Sequence, residues 1–244
     1  MAAELDLAVE LARWACTQIR SRPVTRGTKE NPADIVTDTD IRVEDHVRAV
    51  LAAAFPGHGI TGEERPATPG DPTWYLDPVD GTTNYASGLP WSSFSLALAD
   101  ACGQPVLGVV ADPYRDEIFT AQRGQGACLN GRPIRCSAAP SLAGTIVLTE
   151  WNAHLAWPGA YAMIDALGGQ HCTVRVLGSS ALSLATVAAG RAAAVVFGEY
   201  HPVDTLAGLL LAAEAGAVTD RTRPAPAGLT VAAPALAPLL AALL

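Results

Sequence analysis

Residues 76–84 read LDPVDGTTN. Asp77 and Asp80 stand three apart, Pro78 stiffens the link between them, and Gly81, Thr82, Thr83 and Asn84 follow at once. Two carboxylates that close raise each other's pKa unless something positive sits between them. The stretch before them reads as a strand that delivers Asp77 at its end, and Val79 can turn its carbonyl to the same side. Asp80 is expected at the start of a short helix whose first N–H groups belong to Gly81 and Thr82. Helix N-termini attract anions, and a glycine lets an anion approach the backbone. Hard oxygen ligands for Mg²⁺ would then lie beside amide donors for a phosphate, and one carboxylate bridging two ions is the arrangement for displacement at phosphorus. An Asx-type turn with a helix cap explains the same spacing without any chemistry, so the rest of the chain has to decide.

The elements that must position these residues follow from periodicity. Leu7, Leu11, Trp14, Ala15 and Ile19 recur near helical spacing over residues 4–20, with Pro23 beyond them as a stop. Residues 21–34, with Gly27 and Pro32, read as a loop. Ile41, Val47, Val50, Leu51 and Ala54 mark a second helix over about 40–55, ended by Pro56 and Gly57. Strands are expected at 73–77, 92–99, 105–112 and 117–122, and 126–135 reads as a hairpin turning at Asn130-Gly131. After them come a strand at 144–151, a helix near 155–167, a strand at 173–178, a helix at 180–189, a strand at 192–198 and a helix at about 203–215. Helices with mainly antiparallel strands come first, then alternating strand and helix. That order predicts an α+β or α/β sandwich of layered helices and sheets in two halves, 1–140 and 141–244.

Composition narrows the function classes. Half of the 244 residues are hydrophobic, ample for a core, and the net charge is −8. Such acidity argues against nucleic-acid binding through a broad basic surface and suits a protein that gathers cations. Cys16, Cys102, Cys128, Cys136 and Cys172 are odd in number and widely spaced, so buried free thiols in a reducing cytosol are expected. Glu4, Asp6 and Glu10 stand where a signal peptide needs an apolar run, and the long uncharged stretch 224–244 is broken by Pro224, Pro226, Pro234 and Pro238. The expectation is a cytoplasmic protein with no membrane partner.

WYLDPVDGTTNYASGLP resembles the D-P-[IVL]-D-G-T-x-N signature of the inositol monophosphatase family, metal-dependent and lithium-sensitive phosphomonoesterases. Four further stretches resemble family elements in the family's order: KENPADIVTDTD at 29–40, TGEE at 61–64, VLGSSALSLATVAAGRA at 176–192 and HPVDTLAGLLLAAEAGAVTD at 201–220. Together they cover roughly residues 5–220. The resemblance implies an αβαβα sandwich of the inositol monophosphatase and fructose bisphosphatase type. Carried over residue by residue, it implies that Glu63, Asp77, the Val79 carbonyl, Asp80 and Asp204 hold two or three Mg²⁺ ions. Glu63 would also polarise the attacking water, and Thr82, backed by Asp40, would orient it. The amides of Gly81 and Thr82 would hold phosphate. A small phosphorylated metabolite is the implied partner, and a homodimer the implied assembly. Glu63, Asp77, Asp80 and Asp204 would put four negative charges in one cleft with no lysine or arginine beside them in sequence; divalent cations would neutralise them.

The remaining candidates weigh less. Lys29 reads equally as a surface lysine or as a loop residue over the phosphate, and Glu64 as a solvated side chain. His46, His58, His154 and His171 lack ligand spacing. Three departures from the family pattern bear on the substrate: Val203 stands where typical members have Trp, Phe197 where many inositol-specific members place an acid, and Ala193 replaces a usual Asp. Phe197 would make one side of the polyol pocket apolar, with Glu199 and His201 substituting for the lost contact. Sugar phosphates, histidinol phosphate and other biosynthetic intermediates are therefore open beside inositol phosphate, as is a non-catalytic regulatory relative. Thr83, where the 3′-phosphoadenosine phosphatases usually have Lys, argues against that branch.

Overall fold

The computed structural model describes residues 2–21, 25–29, 31–151, 155–221 and 228–244; Pro23, His154, Pro224 and Pro226 lie outside them. Helix α1 (Ala2–Arg20) buries Leu11, Ala15 and Ile19, and helix α2 (Asp38–Ala54) buries Val43, Val47 and Leu51, the faces that periodicity marks. Between them the expected loop contains an antiparallel ribbon, β1 (Arg26–Thr28) on β2 (Ile35–Thr37). All three residues of β1 are exposed, so it has no buried face and no apolar alternation to announce it.

Seven strands form the first sheet in sequence order: β3 (Gly59–Gly62), β4 (Thr73–Asp80), β5 (Ser93–Ala99), β6 (Pro105–Asp112), β7 (Glu117–Gln122), β8 (Ala127–Leu129) and β9 (Arg132–Ile134). Only β3 and β4 pair in parallel. Helix α3 (Thr82–Ser87) joins β4 to β5. Asn130 and Gly131, with φ of 48° and 76°, turn β8 into β9 as expected.

The second sheet contains β10 (Ile146–Thr149), β11 (Thr173–Val176), β12 (Ala194–Phe197), β13 (Val218–Asp220) and β14 (Leu229–Ala232), in the order β11-β10-β12-β14-β13. Its first three strands are parallel and its last two antiparallel. Helices α4 (Ala160–Gly169), α5 (Ser180–Ala188), α6 (Pro202–Glu214) and α7 (Ala237–Leu243) complete the chain. The sequence gives no warning of β13, β14 or α7. Two of the prolines that break up this stretch fall where helix and strand tolerate them: Pro234 lies outside β14, and Pro238 is in the first turn of α7.

Three apolar clusters stack these elements into layers. One packs α1 and α2 against β3 to β6; Ile19, Val47 and Leu51 meet Trp74, Leu76 and Val109 there. A second puts α5 and α6 between the two sheets, with Leu184, Leu206 and Leu211 against Val110 and Phe119 on one side and Val195 and Val231 on the other. The third packs α4 and α7 under the second sheet through Met163, Leu167 and Leu240. The architecture is helix, sheet, helix, sheet, helix, as the family resemblance implies. The middle core draws on residues from both sides of position 140. Thr205 to Ala212 of α6 are all buried, which is why that helix lacks a polar stripe. Of the five cysteines expected to be buried, only Cys16 and Cys172 are, and Cys102 is exposed.

Candidate active site

The site begins with a proline in a strand. Pro78 has no N–H for the ladder, and the β4–β5 register shifts there, from Asp77↔Ser95 to Asp80↔Ser93. The irregularity leaves both carboxylates buried, Asp77 at 2% and Asp80 at 7% exposure. Asp77 Oδ1 accepts the Val79 N–H at 3.0 Å. Asp80 is the last residue of β4, not the first of a helix; Gly81 caps α3, with φ of 90°. A Cβ on Gly81 would lie 2.5 Å from the Gly178 carbonyl oxygen, so the two segments meet at a glycine. Asn84 secures the same junction through Nδ2, which donates to the carbonyls of Leu177 at 2.6 Å and Trp91 at 2.8 Å.

Asp40 arrives from α2. It sits at the third helical position in a capping box: Thr37 N–H donates to Asp40 Oδ2 at 3.0 Å, and Asp40 N–H to Thr37 Oγ1 at 3.4 Å. Its free oxygen faces Thr82. Thr82 Oγ1 lies 3.2 Å from Asp40 Oδ1 and 3.0 Å from the Val79 carbonyl, and with one proton it donates to one of them at a time. Burial pushes Asp40 up to about 6, against the opposing donors of Thr37.

Glu63 follows β3, and Lys29 reaches it from the ribbon at 2.9 Å, with Glu64 at 2.7 Å. A cation absent from the sequence neighbourhood is therefore present in space. Glu64 is not solvated; its side chain is 5% exposed, and burial pushes it up to about 7 while Lys29 opposes the shift. Burial works against the Lys29 charge, yet Glu63 and Glu64 hold it more firmly protonated than an ordinary lysine. Glu44, missed in the sequence, shapes this turn from α2. It is fully buried and accepts the Glu64 N–H at 2.7 Å, the Arg65 N–H at 3.0 Å and Arg48 Nε at 2.7 Å. Gly62 leaves it room, since a Cβ there would collide with the Glu44 carboxylate.

Asp204 comes from the first turn of α6 and feels Asp80, Glu63 and Lys29. Burial and then repulsion from Asp80 and Glu63 push it well above the ordinary carboxylate range, with Lys29 opposing. Asp77 is raised likewise, by burial first and then by Glu63, Asp80, Asp204 and Asp40. Asp80 is pushed up to about 6, chiefly by burial, although Ser179 Oγ at 2.5 Å and the N–H groups of Ala181 at 2.7 Å and Ser180 at 3.2 Å all donate to it. Glu199 and His201, exposed, pair at 3.1 Å just before α6. Phe197 does not wall a pocket; it is 3% exposed and packs in the core between the sheets.

Among the described residues no three His, Cys, Asp or Glu side chains already form a ligand cage. Asp80 is turned onto α5 and Glu63 onto Lys29. The donor set nevertheless fits a hard divalent cation: carboxylates and a peptide carbonyl are Mg²⁺ ligands, and the buried, mutually repelling charges exceed what one lysine offsets.

Fold and site together define an αβαβα sandwich with an acidic centre supplied by α2, the first sheet and α6. A profile of the inositol monophosphatase family matches residues 2–244. The chain is 36% identical over 224 residues to inositol monophosphatase 3 of Solanum lycopersicum, covering 87% of this chain and 83% of that one. It is also 36% identical over 221 residues to Nus factor SuhB of Pasteurella multocida, covering 87% and 82%. Of the solved structures, an extragenic suppressor protein suhB from Bartonella henselae superposes with a TM-score of 0.91 at 28% identity, over 99% of this chain and 98% of that one. The chain belongs to the inositol monophosphatase family. No helix among the described residues is long and apolar enough to cross a membrane.

Proposed function

We propose that the chain is a Mg²⁺-dependent phosphatase for a small phosphate monoester: an inositol, sugar or related polyol phosphate. The observation that carries this reading is the gathering of the buried Asp77 and Asp80 with Asp204 and Glu63 beside Thr82 Oγ1, which lies 3.2 Å from Asp40 Oδ1. In this reading Glu63, Asp77, the Val79 carbonyl, Asp80 and Asp204 hold the cations. Cations held there supply Lewis-acid activation of water and offset charge on the phosphoryl oxygens. Thr82 Oγ1 orients the attacking water by accepting its hydrogen bond while donating to Asp40 Oδ1, and Asp40 supports that orientation from behind. The first amides of α3, which have no carbonyl four residues back, hold phosphate oxygens. Glu199 and His201 contact the hydroxyls of the alcohol.

Phosphate release from a panel of monoesters, including inositol 1-phosphate, several sugar phosphates and histidinol phosphate, tests the reading. Turnover that appears with Mg²⁺ and vanishes with EDTA is the expected result; no turnover of any ester in Mg²⁺ overturns it. The relatives named Nus factor SuhB, as similar as those named inositol monophosphatase, favour a regulatory binding role as a second reading. The retained carboxylates argue for catalysis first.

A further inference from the structure

Glu150 lies one residue past β10, is 8% exposed, and has no part in the chemistry above. Its Oε1 accepts Ser183 Oγ–H at 2.8 Å and its Oε2 accepts the Gly178 N–H, with the Ser179 N–H also directed at the carboxyl. Gly178 links β11 to α5, and Ser183 is one turn into α5, so the carboxyl straddles the entry to that helix. The same entry serves Asp80 on its other side, through Ser179 Oγ, Ser180 N–H and Ala181 N–H. Asp80 ends a strand of the first sheet and Glu150 follows a strand of the second, and the two clasp one short turn between them. The turn has little slack: a Cβ on Gly178 would meet Asn84 Nδ2 at 2.8 Å.

We propose that Glu150 is a positioning residue, fixing the Gly178–Ala181 turn so that its three donors hold Asp80 in one orientation. The inference rests on Asp80 being a metal ligand. Donors on a ligand carboxylate decide which lone pairs are left for a cation, and outer partners of this kind are worth about 10–100-fold in metal affinity. Burial, against its donors, pushes Glu150 up to about 8, so it is mostly neutral at pH 7 and an amide of equal reach is its nearest substitute. A carboxyl that merely stabilised the junction would leave metal affinity untouched.

The test titrates metal-free wild type, Glu150→Gln, Glu150→Asp and Glu150→Ala with Mg²⁺ by calorimetry, and measures kcat and KM on each. Gln keeps the reach and should match wild type within about twofold. Asp retracts the acceptors from Gly178 and Ser183, and Ala removes them; both should bind Mg²⁺ about tenfold or more weakly, with ester KM within about twofold. The Asp variant decides the matter if Ala does not fold. Unchanged Mg²⁺ affinity in the Asp and Ala variants, with only lower melting temperatures, overturns the proposal. So does an Asp variant like wild type beside an impaired Gln variant, since charge rather than reach would then act. A wild type that binds Mg²⁺ but hydrolyses nothing sinks the phosphatase reading and leaves calorimetry to decide on Glu150. A wild type that binds no Mg²⁺ overturns both.

Discussion

Glu44→Ala removes a fully buried carboxylate that no proposed chemical step touches. Two backbone N–H groups, of Glu64 and Arg65, lose their acceptor, and Arg48 loses the ion pair at its Nε. A stranded buried donor costs about 1–3 kcal/mol. Arg48 keeps the Arg65 carbonyl at 3.0 Å, which moderates its loss. The turn at Glu64 and Arg65 is only partly buried, so water reaches some of the freed amides. The sum is about 4 kcal/mol, and at roughly 2–4 °C per kcal/mol for a chain of this size the melting temperature should fall by about 10 °C. Differential scanning calorimetry on metal-free protein measures it. Because the freed turn carries Glu63, the Mg²⁺ concentration for half-maximal activity should rise as well. Glu44→Gln, which puts an N–H₂ among donors, should fall in between. A drop below about 3 °C in the alanine variant, or an unshifted Mg²⁺ dependence, would show that the hydrogen bonds to Glu44 do not hold the turn.

Asp204→Asn should abolish most turnover yet leave metal-free protein as stable as wild type or more so, since it relieves repulsion from Asp80 and Glu63; parallel activity and melting measurements check this. A pH series on metal-free protein tests Glu150. A carboxyl whose folded pKa is raised binds more protons folded than unfolded, so its contribution to stability falls as pH climbs from the unfolded value near 4.5 to about 8, by at most about 1.4 kcal/mol per unit. Wild type should lose stability relative to Glu150→Gln over that window, and parallel curves would refute the shift. Lithium should inhibit turnover through the site of Asp77, Asp80 and Asp204; a titration into high millimolar LiCl, matched with KCl, that leaves the rate unchanged would remove that inference.

The chain shows its fold where burial is one-sided and hides it elsewhere. Helices α1 and α2 each bury a stripe, and the β8–β9 turn needs two left-handed residues that Asn130-Gly131 supplies, so all three are readable. The ribbon β1–β2 is not readable, because its strands are three residues each and β1 is exposed throughout; β13 is as short and mostly exposed, and β14 and α7 are masked by interspersed prolines. The candidate site divides similarly. Asp77, Asp80, Gly81 and Thr82 sit in one stretch and announce themselves. Asp204, Glu63 and Asp40 need the family pattern to be found. Glu44 and Glu150 carry no motif, and their importance lies wholly in the backbone amides that the fold brings to them. Phe197 misled, because a residue's place in a pattern does not say which way a strand points its side chain; here it points into the core.

Helix α6 lies between the two sheets, and Asp204 is in its first turn. Its partners Asp77 and Asp80 lie at the end of a strand of the first sheet. During synthesis the first sheet can assemble while α6 is still unmade, but the acidic centre cannot. Asp204 joins Glu63, Asp77 and Asp80 only when the sandwich closes with α6 packed between the two sheets. A cation that binds only the closed form then stabilises closure by mass action. A polypeptide stopped short of α6 carries Glu63, Asp77 and Asp80 without Asp204, so the centre stays incomplete until that helix is made and packed between the sheets.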